Sequence, residues 1–156
     1  MNNKGVTLLE LVIVFILIGI MAAFILPSLG TSWLPRYRLR TATRDIVSTM
    51  RTAQMKAVSS GAQYTYQVAF NVTANTYVLQ YTTGGSTYNA GPVQTLPSGI
   101  IVTVAGLPNN TAEFNSNSTC PSGGTDVITL SYKKNGVTWE QKQISLNTAT
   151  GRITFQ

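Results

Sequence analysis

Histidine is absent from this chain of 156 residues, and cysteine occurs once, as Cys120. Without imidazole there is no Ser–His or Cys–His nucleophile pair and no imidazole ligand for a metal. A single thiol cannot close an intramolecular disulfide, and here it has no base to activate it. Acids are scarce as well: Glu10, Asp45, Glu113, Asp126 and Glu140 are the only five, and they are scattered. No two lie close enough in sequence to suggest paired acid–base work, and none cluster as calcium ligands do. A Gly-rich phosphate loop is also missing. An enzyme is therefore not expected, and neither is a metal or cofactor.

The chain does hold one long apolar run. From Leu11 to Leu26 no side chain is charged or strongly polar, and the stretch Val6–Leu26 contains 21 residues. As a helix at about 1.5 Å per residue it would measure roughly 31 Å, close to the ~30 Å hydrocarbon core of a bilayer. A buried core helix should show a polar face, and Glu10 is the sole polar interruption. A cleaved secretory signal should end in an Ala-x-Ala-like site, but "MAAF" at Met21–Phe24 lacks that spacing. The run therefore predicts a transmembrane helix over 6–27. Its carboxylate, Glu10, needs an explanation, because an acid in a membrane segment is costly and suggests function.

Positive charge is concentrated next. Arg36, Arg38, Arg40, Arg44, Arg51 and Lys56 face one acid, Asp45, whereas after Gly61 four cations stand against three acids. Pro27, Gly30 and Pro35 interrupt helical backbone, so residues 28–35 are expected to form a bend. Over 36–60, Leu39, Ala42, Ile46, Met50, Ala53 and Ala57 recur every three or four residues, an apolar stripe made to lie on another layer. Arg36, Arg40 and Arg44 follow at four-residue steps and should face outward as an electrostatic contact for anionic lipid or for a neighbour's acids.

From Gly61 the period becomes two, predicting a β-rich globular domain over 61–156. "YTYQVAF" (Tyr64–Phe70) and "TYVLQYT" read as a hairpin, with Tyr64, Tyr66, Tyr77 and Tyr81 as packing groups. "IIVTVAG", "DVITLSYK", "VTWEQKQISL" and "RITFQ" read as further strands, the middle pair joined at Lys134–Gly136. Residues 83–99 and 107–125 read as long Gly/Asn/Ser/Pro-rich loops. The expected class is α+β: a long N-terminal helix, half transmembrane and half amphipathic, packed on an antiparallel sheet of hairpins.

The first residues resemble the class III signal of type IV pilins and pseudopilins. Lys4-Gly5 stands where the short basic leader ends, followed by Val6-Thr7-Leu8-Leu9-Glu10 and the apolar helix. The resemblance implies a leader over 1–5, cleavage between Gly5 and Val6 by a prepilin peptidase, and methylation of the new N-terminus, with Val6 standing where Phe is commonest. It implies an assembly role for Glu10, the fifth residue of the processed chain. Gly19 and Pro27 match the helix-weakening Gly and Pro of many pilins.

The remaining layout resembles the GspH/FimT group, with Gly151-Arg152-Ile153 as its C-terminal Gly-Arg strand. That implies a minor pseudopilin of a type II secretion system, anchored once in the inner membrane with its domain in the periplasm, then moving into a fibre. Its implied partners are other pilins or pseudopilins, the peptidase, the inner-membrane assembly platform and lipid. The alternative is a minor type IV pilin of the FimT kind acting in pilus assembly or DNA uptake. For that role Lys133, Lys134 and Arg152, with Lys142, are the candidate DNA contacts, although Thr154 stands where FimT-like DNA binders carry a second Arg.

Overall fold

A computed structural model describes residues 8–28, 33–120, 125–134 and 136–156. The chain divides into two compact units, Met1–Arg36 and Tyr37–Gln156.

In the first unit, α1 runs from Leu8 to Ser28. Its described side chains, Leu8 to Ala23, are apolar on every side apart from Glu10, and the large ones from Leu8 to Met21 are 44–81% exposed. A helix with no polar face has nothing to direct one side toward a core. Pro27 does not end the helix, which continues one residue beyond it. Among the described residues no helix is long and apolar enough to cross a membrane.

The second helix, α2, spans Trp33–Ser60 and begins three residues before Arg36, where the sequence places its start. Pro35 is compatible with this because it sits in the first turn, where backbone N–H groups have no helical partner to lose. Of the residues 28–35 expected to bend, Ser28 is the last of α1, 33–35 belong to α2, and 29–32 lie outside the described residues.

Among the described residues nine strands follow: β1 (Thr65–Asn71), β2 (Thr76–Thr83), β3 (Ser86–Asn89), β4 (Gln94–Thr95), β5 (Ile100–Ala105), β6 (Thr111–Phe114), β7 (Thr125–Lys134), β8 (Val137–Asn147) and β9 (Arg152–Phe155). They form two antiparallel sheets. One has the order β3-β2-β1-β6, with β4 also on β2, and the other has the order β5-β7-β8-β9. The fold is thus α+β, a helix on antiparallel sheets, as expected from the sequence.

The supposed loops 83–99 and 107–125 are a correction, since β3, β4 and β6 lie in them. β3 is exposed at all four positions and carries no apolar alternation to reveal it. It is held laterally instead: Tyr88 stacks on Tyr81 at 5.5 Å between ring centroids, and Gln80 Nε2 donates to Asn89 Oδ1 at 3.0 Å.

The core is one cluster. Leu39, Ile46, Met50, Ala53 and Ala57 of α2 are fully buried, facing Val68, Val102, Phe114, Ile128, Leu130, Ile144 and Leu146 of the strands. Three small side chains on the stripe, Ala42, Ala53 and Ala57, let the helix backbone come close to the sheets. Burial of each larger one contributes about 1.5–3 kcal/mol.

Candidate assembly and interaction surfaces

The processing residues Gly5 and Val6 lie outside the described residues. Glu10 is in the first turn of α1 and exposed. An acid near the N-terminal end of a helix is favoured by the helix dipole by about 0.3–1 kcal/mol. Gly19 lies mid-helix, and a methyl group built on it would meet nothing within 4 Å. Among the described residues no close packing demands glycine there. For Pro27, the backbone is helical and the side chain is not described.

Arg36, Arg40 and Arg44 are all exposed on α2, at four-residue steps that place them on one helical face. Buried Thr43 sits between the last two, its hydroxyl donating to the Leu39 carbonyl at 2.8 Å.

The structure does not gather Lys133, Lys134 and Arg152 into one patch. Lys134 pairs with Val137 at one end of β8, and Arg152 pairs with Asn147 at the other. Ten residues of extended strand separate these pairs, about 33 Å. Lys134 instead lies over the exposed Trp139 ring, with Nζ 5.7 Å from its centroid.

Lys142 goes elsewhere. It precedes buried Ile144 and Leu146 at two-residue steps, so it shares their face of β8. There, Lys142 joins Arg40, Thr43, Arg44 and Phe155 around a cavity of about 230 Å³. The alternation in "QKQISL" carries the signal for Lys142. Phe155 shows none, because its position depends on β9 pairing with β8.

Cys120 is buried, and burial pushes its thiol up to about 12, with Asp126 and then Glu113 adding to the shift. A thiol held protonated in this way is a poor nucleophile. Among the described residues no group of three or more Cys, Asp or Glu side chains could hold a metal ion.

The prokaryotic N-terminal methylation motif matches residues 1–26. Among curated proteins none matches the sequence. Two solved structures share the fold. The type IV minor pilin FimU of Pseudomonas aeruginosa is 18% identical with a TM-score of 0.57, over 76% of this chain and 92% of that one. The minor pseudopilin EpsH of the type 2 secretion system of Vibrio cholerae is 12% identical with a TM-score of 0.61, over 76% of this chain and 96% of that one. A prokaryotic N-terminal methylation motif thus stands at the start of a chain that shares its fold with a minor pilin and a minor pseudopilin.

Proposed function

We propose that the chain is a minor pseudopilin, a structural subunit of the periplasmic fibre of a type II secretion system. The observation that carries this reading is the pairing of the methylation motif over residues 1–26 with a pilin-like domain. Fibre subunits need these two things: a processed apolar helix that packs with its copies, and a folded head that differs between subunits.

Anchoring is supported by the whole apolar run Val6–Leu26 in the sequence. Lys4 keeps the leader on the cytoplasmic side, in line with the positive-inside tendency. A prepilin peptidase cuts between Gly5 and Val6, and the new α-amine of Val6 is positively charged or nearly so at neutral pH.

Glu10 stands four residues on. Within one helix the amine and the carboxylate are about a turn apart, and in a bundle the carboxylate of an incoming subunit meets the amine of its neighbour. Low dielectric strengthens that attraction, and a wrong axial register leaves both charges unmatched in lipid. Glu10 thus recruits the subunit and sets its register. Gly19 and Pro27 loosen the helix for packing in the fibre, and the exposed Arg36, Arg40 and Arg44 meet anionic lipid or a neighbour's acids.

The second reading, a minor type IV pilin acting in pilus assembly or DNA uptake, draws on the similarity to FimU. Deleting the gene in its host separates the two. The secretion reading expects loss of exoprotein secretion with pili intact. Loss of pili or of DNA uptake with secretion intact would establish the second reading instead.

A further inference from the structure

The basic cavity on α2 adjoins another. Arg44 and Phe155 are shared with a second hollow of about 410 Å³, lined also by Val47, Ser48, Arg51, Thr52 and Met55. The first hollow gathers Arg40, Arg44 and Lys142, with no carboxylate among its described lining residues. Arg40, Arg44 and Lys142 bring three positive charges to one concavity, and an anion entering it is attracted by all three. Arg40 and Arg44 are a helical turn apart on α2, and Lys142 comes from β8 across the gap. The guanidinium forks and the ammonium can therefore grip one carboxylate from two elements.

The second hollow differs in character. Met55 is 65% exposed and Phe155 is 50% exposed, and between them they offer an apolar wall beside the cationic one. Exposed large apolar groups next to converging polar groups are the usual make-up of a recognition site. The first hollow lies below the ~300 Å³ at which drug-sized ligand pockets begin, and the second lies just above it. Each suits one or two side chains.

From these features we infer that the double hollow between α2 and the β8–β9 edge binds a short acidic-apolar segment of another protein. A Glu or Asp side chain enters between Arg40, Arg44 and Lys142, and an adjacent aromatic or aliphatic side chain lies against Phe155 and Met55. Duplex DNA fits less well, since its charges lie on a convex cylinder and call for an open track of cations. Here the cations turn into a cavity, and Lys134 and Arg152 stand at opposite ends of β8. The hollows are lined only by residues of the second unit and draw on nothing in α1, so their occupancy stands or falls separately from the role of Glu10.

The test uses the full chain in nanodiscs of zwitterionic lipid and a fluorescent peptide containing Glu-Phe-Glu, read by anisotropy. Control peptides carry Gln-Phe-Gln and Glu-Ala-Glu, and a single-stranded oligonucleotide serves as competitor. Glu-Phe-Glu should bind with an affinity that falls as salt rises, and Gln-Phe-Gln should not bind. Arg44→Gln and Lys142→Gln should each weaken binding about tenfold. Phe155→Ser should reduce it to the level of Glu-Ala-Glu, and the melting temperature should hold in all three variants. Equal binding by Gln-Phe-Gln, unchanged affinity in the charge variants, or absence of peptide binding would overturn the proposal. Tighter binding of the oligonucleotide, with displacement of the peptide, would reassign the hollow to nucleic acid.

Discussion

Gly151 lies so close to Ser118 that a Cβ on Gly151 would overlap the Ser118 carbonyl oxygen. The same glycine has φ +65°, and its own carbonyl accepts from Gln54 Nε2 of α2 at 3.2 Å. A single position thus ties the β8–β9 turn to the segment after β6 and to the helix. Replacement by Ala adds left-handed strain and a clash with backbone, which cannot rotate away as a side chain could. Gly151→Ala should cost about 2–3 kcal/mol and lower the melting temperature by roughly 8–16 °C. Thermal unfolding followed by circular dichroism measures it, and a shift under 2 °C or so would show that the turn relaxes freely.

Phe114 tests β6. Its side chain is fully buried, although it comes from a segment whose composition reads as loop. Phe114→Ala should destabilise by about 3–5 kcal/mol in urea unfolding, the range of large-to-small core changes. A true loop position would give a change near zero.

How much of this fold was legible depends on length and period. The α2 stripe from Leu39 to Ala57 repeats over five turns, and every member of it is buried. The β7–β8 hairpin announces itself through long alternating strands joined by a short turn, Lys134 pairing with Val137. β6 has four residues and β4 two, too few for alternation to rise above its Asn- and Ser-rich surroundings. Such strands exist because a neighbour supplies the hydrogen bonds, which is tertiary information. The same limit hid the cleft. The sequence shows Arg40 and Arg44 as a pair, but Lys142 and Phe155 join them only through sheet register. Of the candidate DNA contacts Lys133, Lys134 and Arg152, register puts Lys134 and Arg152 at opposite ends of β8, which the sequence does not show.

Cys120 makes stability depend on alkaline pH. Its folded-state thiol is raised from 9.0 to about 12. The unfolded chain therefore releases this proton first, so stability is intact below about pH 9 and is lost as pH climbs toward 12. Tyr77, raised mainly by burial, acts in the same direction. Alkylation by iodoacetamide at pH 8 should proceed only as fast as the protein opens, and it should quicken in urea. Rapid labelling of the folded protein would contradict the burial of the thiol.

Gly19 is open to a direct check, since a methyl group there meets nothing within 4 Å among the described residues. Gly19→Ala should stabilise α1 by about 1 kcal/mol. Amide exchange in its middle turns should slow roughly fivefold. If helix weakening at Gly19 serves the fibre, fibre yield should fall while membrane insertion is retained. An unchanged yield with slower exchange would remove that role.

The assembly role of the α1 carboxylate is the centre of this account, and co-purification tests it most directly. Glu10→Gln and Glu10→Ala should both be cleaved after Gly5. Their β domain should melt at the wild-type temperature, because Glu10 lies outside the unit Tyr37–Gln156. Recovery of partner pilins or pseudopilins with a tagged subunit from the membrane should then fall at least about tenfold, the scale of losing one charge-assisted contact in low dielectric. Processed, folded variants that bring down their partners as well as wild type would show that the carboxylate plays no part in assembly.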